Sequence, residues 1–360
     1  MITISLCMIV KNESATIGRC LDSVRDLVDE IVIVDTGSDD DTQNIVRQYT
    51  DNIFDFAWVE DFAAARNFAF SHASQEYILW LDADDVVLDT DRQKLLQLKE
   101  TLDPSVDAVS MHYYLARDSA GNVISSLRRN RLVKRVNGFQ WYGAVHEYLA
   151  VSGHIITSDI GITHNPRNHD VDRNLRIYER RLAAGEAFTP RDLFYYANEC
   201  VDHQYYEKAI EYYLRFLNSG QGWVEDNIAA CGKLADCYNN LGDAIRAWKY
   251  TLKSFQYDTP RAEFCCRLGY SFMQQNEWHK AIFWYKLATK LKPHGEHWGL
   301  INHSCWTWLP QLQLCVCYDR LGEYNLAYQH NELARAYRPN DEQILHNKKY
   351  LESVINKQVT

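Results

Sequence analysis

The sequence predicts two domains, an α/β domain with a mostly parallel sheet followed by an all-α domain of helical repeats. Up to about residue 165, short apolar runs alternate with amphipathic stretches, which is the pattern of βαβ units. From about residue 170 onward, long stretches rich in Tyr, Leu and Ala replace these runs. We expect the α/β domain at 1–168, a helical linker at 169–190 and the repeats at 191–360.

The predicted strands of the first domain are short and nearly all apolar, as expected for a buried parallel sheet. They lie at 2–10, 30–35, 53–58 and 77–81. Helices are predicted between them at 14–27, 41–49 and 63–72, with Ser14 as an N-cap. Ligands of such sheets bind beyond the carboxyl ends of the strands. Polar residues at those ends are therefore candidates for a functional site.

Four pairs of small residues with one common spacing run through the second domain. They are Ala197 with Ala209, Ala235 with Ala247, Gly269 with Ala281, and Cys315 with Ala327. Small residues are expected where paired helices cross closely, and Leu-Gly at 241–242 and 321–322 falls between such helices. Pro293 and Pro339 close the last two repeats, which are separated by an insertion at 294–306. This pattern resembles the tetratricopeptide repeat, whose period is about 34 residues.

Composition excludes several classes of protein. The formal net charge of -10 disfavours a nucleic-acid partner, because polyanion binding requires a basic surface. No apolar run reaches the roughly 20 residues of a membrane helix. The strand-like start leaves no room for a signal peptide, and the ten cysteines show no zinc-site spacing. We therefore expect a cytoplasmic protein with buried, reduced thiols.

The strongest local motif is Leu81-Asp82-Ala83-Asp84-Asp85, which follows an apolar strand. Closely spaced carboxylates at the end of a buried strand provide hard oxygen ligands for Mg²⁺ or Mn²⁺. Such a cation would in turn neutralise a diphosphate. A solvated turn or a helix cap accounts for the motif equally well when it is considered alone.

Three further motifs precede this one in a fixed order. They are Ile9-Val10-Lys11-Asn12-Glu13, then Val34-Asp35-Thr36-Gly37-Ser38, and then Ala65-Arg66-Asn67. The ordered set resembles the family 2 glycosyltransferases, which have the GT-A fold, a Rossmann-like α/β fold. The resemblance covers roughly the first half of the chain.

The resemblance implies a role for individual residues. Asp35 would accept the N3–H of uracil, Asp82 would lie near the ribose, and Asp84 would bind Mn²⁺ or Mg²⁺. Arg66 would contact nucleotide or phosphate as a fixed cation. For Asp35 and Arg66 the alternatives are a turn cap and a surface ion pair. The remaining residues assigned to nucleotide-sugar binding are Val10, Asn12, Glu13 and Ala83.

Two later segments resemble those that close the active site in soluble enzymes of this family. They are Trp141-Tyr142-Gly143-Ala144-Val145-His146-Glu147 and Gly161-Ile162-Thr163-His164-Asn165. By this resemblance His164 completes the metal shell, and Glu147 is the preferred general base, with His146 orienting it or contacting phosphate. The family's ED acid pair and the QxxRW motif of processive synthases are not found. This leaves the base open and argues against a processive synthase.

A basic run at 128–135 allows two interpretations. It could help to hold the departing nucleotide diphosphate, but most of it is interpreted as a solvated strand edge.

These features predict an inverting, metal-dependent transfer of sugar from a UDP-sugar to a peptide or protein held by the repeats. The two-part layout is similar to that of bacterial peptide glycosyltransferases such as the bacteriocin S-glycosyltransferases. The repeat groove could instead mediate homodimerisation. Two other functions stay open: transfer to lipopolysaccharide core or another cell-surface glycan, and a non-catalytic tetratricopeptide scaffold.

Overall fold

The computed structural model describes residues 1–118, 121–166, 170–292 and 298–359. The chain divides into two compact units. One comprises Met1–Ala116 and Ser126–Tyr195, and the other comprises Arg117–Ser125 and Tyr196–Thr360.

The first unit is built on a mixed sheet whose strand order is β3-β2-β1-β4-β7-β6-β10-β5. Strands β1, β2, β3 and β4 pair in parallel, whereas β7 runs antiparallel to β4 and β5 runs antiparallel to β10. A separate antiparallel pair is formed by β8 and β9. The strands are β1 Ile4–Val10, β2 Glu30–Asp35, β3 Ile53–Asp55, β4 Tyr77–Trp80, β5 Asp85–Val86, β6 Ala108–Arg117, β7 Val123–Lys134, β8 Gln140–Tyr142, β9 Tyr148–Ala150 and β10 Ile155–His164.

Alternation along the central strands buries both faces of this sheet. In β1, Ile4, Leu6 and Met8 enter one apolar cluster, whereas Cys7 enters the cluster on the other face. The first cluster includes residues of helices α1 and α4, and the second includes residues of α3. These helices are α1 Ile17–Asp22, α2 Thr42–Val46, α3 Phe62–Ser71, α4 Asp89–Thr101 and α5 Arg173–Ala183. The predicted mostly parallel sheet with helices on both faces is therefore confirmed.

The first predicted helix is wrong in its start and its length. It begins at Ile17, after Thr16 at the N-cap position, and ends at Asp22. Ser14 does not cap it, because it lies two residues before the N-cap position. The Ser14 amide donates to Oδ2 of Asp40 at 3.1 Å. The polar turn before α1 is thus tied to the turn that follows β2.

The second unit consists of helices that pack in consecutive pairs, as the tetratricopeptide pattern predicts. Every one of the small residues that define the four pairs is buried. At the predicted turns, Gly242 and Gly322 both have φ of 77°, a left-handed conformation that favours glycine. The helices are α6 Pro190–Asp202, which belongs to the first unit up to Tyr195, α7 Tyr206–Ser219, α8 Val224–Asn240, α9 Ala244–Lys253, α10 Ala262–Gln274, α11 Trp278–Lys290, α12 Trp308–Arg320, α13 Tyr324–Tyr337 and α14 Glu342–Val359.

The insertion predicted between the last two repeats is described only in part. Pro293 and the start of the 294–306 insertion lie outside the described residues.

All ten cysteines of the chain are buried, as expected. Over the described ranges, no helix combines the length and the apolar character needed to cross a membrane.

We predict that Gly269→Ala destabilises the repeat unit although alanine favours helices. A methyl group at Gly269 would lie 2.7 Å from a ring carbon of Tyr285, which is itself buried. The overpacking should outweigh the propensity gain and lower the free energy of unfolding by about 1–2 kcal/mol. Chemical denaturation followed by circular dichroism measures this change.

Gly232→Ala is the matched control, because Gly232 is also buried inside a helix. Its added methyl group would have its nearest neighbour at 3.5 Å, an ordinary contact distance. This variant should be as stable as the wild type, or more stable by up to about 1 kcal/mol. Equal stabilisation of both variants would contradict the close helix crossing at Gly269.

Candidate active site

Asp35 ends β2 and is buried in the sheet edge next to Val10, its register partner on β1. Oδ1 of Asp35 accepts hydrogen bonds from the amides of Gly37 (2.8 Å) and Ser38 (2.7 Å). Oδ2 is buried and has no hydrogen-bond partner among the described residues. A buried carboxylate oxygen without a donor is costly unless a ligand supplies one. The turn-cap alternative therefore accounts for one oxygen of Asp35 only.

The loop after β1 is fixed to the loop after β2. The Asn12 amide donates to Oγ of Ser38 at 3.0 Å, and Oδ1 of Asn12 accepts from the Asp39 amide at 2.9 Å. Asn12 adopts the left-handed conformation, with φ of 56°. The amide of Glu13 donates to Oγ1 of Thr42 at 2.7 Å. These bonds hold the predicted residues Asn12 and Glu13 at the same sheet edge as Asp35.

The acidic motif forms a tight turn between β4 and β5. The Asp82 amide donates to Oδ2 of Asp85 at 3.0 Å, and Ala83 is buried in the apolar cluster beneath. Asp84 and Asp85 are buried, whereas the Asp82 side chain is 33% exposed. The turn therefore brings three carboxylates to the edge and withdraws two of them from solvent.

A buried arginine balances one of these carboxylates. The guanidinium of Arg131, on β7, lies 3.0 Å from Oδ2 of Asp85, and both side chains are fully buried. It also lies over the rings of Trp80 and Tyr113, at 3.9 and 4.4 Å from their centroids. This pair was not predicted from the sequence. Arg131 occupies an interior strand, so its interpretation as part of a solvated edge is wrong.

His164 joins the acidic turn through strand pairing. It is the last residue of β10 and the register partner of Asp85 on β5. Its Nδ1 lies 3.4 Å from Oδ1 of Asp84 and 3.7 Å from Oδ1 of Asp85, and 2.9 Å from the Tyr113 hydroxyl. Burial lowers the pKa of His164, but its interactions with the two aspartates outweigh burial and raise the pKa to about 10.

Asp84, Asp85 and His164 have the chemistry of a divalent-cation site. One ligand atom from each lies within 4.8 Å of the others. Oδ1 of Asp85 is buried and has no hydrogen-bond partner among the described residues. Carboxylate oxygens suit Mg²⁺ and Mn²⁺, and imidazole is acceptable to Mn²⁺. A cation between the carboxylates would reverse the local field and favour neutral imidazole. The residues fit the predicted metal, with Asp85 as an additional member of the group.

Arg66 links the acidic motif to the segment that contains Glu147. From helix α3, its Nη2 donates to Oδ1 of Asp82 at 2.6 Å and its Nε donates to Oε1 of Glu147 at 2.5 Å. The guanidinium lies over the rings of Trp80 and Trp141. Burial disfavours the charge on Asp82, but Arg66 and Arg131 outweigh it and lower the pKa of Asp82 to about 2.

These contacts bear on two predicted roles. Arg66 forms an ion pair, as in the alternative interpretation, but the pair is buried rather than exposed. Its contact with nucleotide or phosphate stays a prediction, as does the role of Glu147 as base. His146 precedes Glu147 with φ of 51°, and its ring stacks on Tyr195.

We predict that Arg131→Met destabilises the first unit by about 3–5 kcal/mol, because it leaves Asp85 as an uncompensated buried charge. The free energy of unfolding should be measured in EDTA, so that no cation replaces the arginine. Asp85→Asn in the Arg131→Met background should recover part of the loss, because it removes the charge.

Arg25→Met is the control for this experiment. Arg25 pairs with Asp22 at 3.6 Å, and their side chains are 63% and 58% exposed. Such a surface pair contributes less than about 1 kcal/mol. If Arg131→Met were as mild as Arg25→Met, the buried pair would not compensate the charge of Asp85.

Comparison with known proteins relates this geometry to a family. The family model of Glycosyl transferase family 2 matches residues 5–153. The chain is 29% identical over 232 residues to the SPbeta prophage-derived glycosyltransferase SunS of Bacillus subtilis. The aligned residues cover 60% of this chain and 54% of SunS. It is 38% identical over 135 residues to a TPR repeat-containing protein of Synechococcus elongatus. Here the aligned residues cover 36% of this chain and 32% of that protein.

A further relative is the lipopolysaccharide core biosynthesis glycosyltransferase LpsC of Rhizobium meliloti. It is 28% identical over 159 residues, which cover 42% of this chain and 58% of LpsC. The chain thus spans about half the length of SunS and LpsC, and about a third of the Synechococcus protein. Residues 5–153 thus match glycosyl transferase family 2, within a chain whose C-terminal part is built from tetratricopeptide-like helix pairs.

Proposed function

We propose that this protein is an inverting, metal-dependent glycosyltransferase that takes its sugar from a UDP-sugar. One observation carries the proposal. The first unit contains both the buried Asp35, with an unpaired carboxylate oxygen, and the group Asp84, Asp85 and His164. The three aspartates lie within the residues that match the family 2 model. Asp35 suits a base and the group of three suits a diphosphate with its cation, so together they suit a nucleotide diphosphate.

Uracil is the base that Asp35 suits best. Oδ1 is already occupied by two amides, which fixes the carboxylate and leaves Oδ2 to accept one N–H. The N3–H of uracil is such a donor, flanked by two carbonyl groups. A buried acceptor also discriminates against a base that presents a lone pair at this position, because two acceptors would then face each other without a proton.

The cation would be held by Asp84 and His164, with Asp85 behind them. When bound, it would neutralise the diphosphate and stabilise the charge that grows on the leaving group. Arg66 holds Asp82 and Glu147 in place and adds a fixed positive charge close to the acidic turn. Fixed charges of this kind need no reorganisation during the reaction, which makes them effective in a partly buried site.

The transfer step is a direct displacement at the anomeric carbon. The acceptor oxygen or sulfur forms the new bond, and the bond from the anomeric carbon to the diphosphate oxygen breaks with its electron pair leaving on UDP. The acceptor proton passes to a base, for which Glu147 is our candidate. Its carboxylate is held at one oxygen by Arg66, with a side chain that is 11% exposed. A single displacement inverts the configuration of the sugar.

We infer that the acceptor is a polypeptide. The support is the repeat unit, since tetratricopeptide arrays commonly bind peptide segments along an extended surface. The named activity of LpsC supports a second candidate, transfer to lipopolysaccharide core. Incubation with a radiolabelled donor separates the two: the proposed acceptor gives protease-sensitive label, and the second gives label that stays with lipopolysaccharide after proteolysis.

We predict that Asp35→Asn weakens UDP binding by about 10- to 100-fold, measured by calorimetry with Mn²⁺. The Asn side chain has only one acceptor oxygen, whereas Asp35 uses one oxygen for the Gly37 and Ser38 amides and the other for uracil. The NH₂ group of the Asn side chain would therefore face either those backbone amides or the N3–H of uracil, which are donors as well. Losing one hydrogen bond to a charged group corresponds to about 1.5–3 kcal/mol.

Asp39→Asn is the matched control. Asp39 is exposed in the same loop, and its recorded bond to Asn12 uses the backbone amide rather than the side chain. UDP affinity should therefore be unchanged. Equal affinities for wild type and a folded Asp35→Asn variant would rule out Asp35 as the uracil-binding residue.

A further inference from the structure

The short loop between β8 and β9 contains an unusual backbone conformation at a predicted site residue. Tyr142 pairs with Tyr148 across the two strands, so residues 143–147 form the connection. Gly143 adopts a positive φ of 101°, which glycine accommodates. His146 adopts φ of 51°, which a non-glycine side chain disfavours and which persists only if surrounding contacts impose it.

Arg191 supplies such contacts. This residue lies in the first turn of α6, and its Nε and Nη2 donate to the carbonyl oxygen of His146 at 3.0 and 2.8 Å. Its guanidinium is held in turn over the rings of Tyr148 and Tyr195, at 4.9 and 4.6 Å from their centroids. Two charge-assisted bonds to one carbonyl fix the peptide that links His146 to Glu147.

The next turn of α6 contacts the imidazole of His146. The ring stacks on Tyr195, with centroids 4.4 Å apart and planes 17° from parallel. Tyr195 follows Arg191 by one helical turn, and its hydroxyl accepts from Nη2 of Arg191 at 3.3 Å. Arg191 and Tyr195, on one face of α6, therefore contact the backbone and the side chain of His146, respectively.

The rest of the loop is held from other elements. The Phe62 amide donates to the carbonyl of Ala144 at 2.9 Å, and the Tyr178 hydroxyl donates to the carbonyl of Val145 at 3.4 Å. Glu147 follows directly and pairs with Arg66. The backbone dihedral angles of His146 immediately precede Glu147. They therefore determine where the Glu147 carboxylate lies.

We propose that Arg191 is a positioning residue, which holds His146 in the left-handed conformation and thereby places Glu147 for the reaction. The proposal rests on the proposed glycosyltransferase function for its catalytic consequence, but not for its structural one. Arg191 acts on the loop through the His146 carbonyl and is assigned no contact with donor or acceptor.

Arg191→Met tests this role, because it keeps an unbranched side chain between the rings and removes both donors. We expect faster amide hydrogen exchange in residues 143–147. We also expect donor hydrolysis with Mn²⁺ to lose about 10- to 100-fold in kcat, as for a small displacement of a reacting group. The Kd of UDP should stay within about twofold, because the nucleotide contacts are on other loops.

Arg215→Met is the control. Arg215 also lies over a tyrosine ring on a helix, at 4.6 Å from the centroid of Tyr212, but it lies in α7 and outside the first unit. Neither exchange in 143–147 nor kcat should change in this variant.

A double-mutant cycle with His146→Gly identifies the mechanism. Glycine adopts the left-handed conformation without strain, so Arg191→Met should cost much less in kcat and in exchange protection in that background than in the wild type. Equal losses in both backgrounds, or unchanged exchange in Arg191→Met, would overturn the proposal. If the wild-type protein neither binds UDP nor hydrolyses any donor, the proposed function fails, while the exchange measurements still decide the role of Arg191.

Discussion

The structure of the first unit depends on how negative charge is balanced at one edge of its sheet. Asp82, Asp84, Asp85 and Glu147 gather there with little or partial exposure. Carboxylates in such a place are tolerated only when they are paired and hydrogen-bonded. Two buried arginines supply the pairing: Arg66 donates to Asp82 and Glu147, and the guanidinium of Arg131 lies 3.0 Å from Asp85. Asp84 contacts His164, and we propose that a divalent cation binds to this pair.

Aromatic rings fix these two arginines. The guanidinium groups of Arg66 and Arg131 both lie over the indole of Trp80, whose Nε1 donates to the carbonyl of Asn130 on β7. Trp80 is the last residue of β4, directly before the acidic turn. Strand β4, which leads into the acidic turn, therefore also carries Trp80, the ring that orients Arg66 and Arg131. If this edge is the active site, as we propose, its electrostatics are preorganised by packing before substrate binds.

Much of this site could be predicted from the sequence, because its motifs follow strands. Apolar runs ending in Asp35 and Asp82 give both the strand positions and the sheet edge, and His164 could be added by family resemblance. Arg131 could not be found in this way, since its burial depends on β7 lying between β4 and β6, an order that local sequence does not encode. The pairing of Arg66 with Glu147 joins residues far apart in the chain, and the left-handed His146 is imposed by Arg191 rather than by its own sequence.

Release of the nucleoside diphosphate from a panel of UDP- and GDP-sugars decides whether this protein uses a UDP-sugar together with a divalent cation. It should be measured with Mn²⁺, with EDTA, and for Asp84→Asn beside Asp89→Asn, whose side chain is fully exposed. We predict slow release of UDP from at least one UDP-sugar, lost with EDTA and with Asp84→Asn, and retained with Asp89→Asn. Failure of every nucleotide sugar, together with no UDP binding in the presence of Mn²⁺, would contradict it.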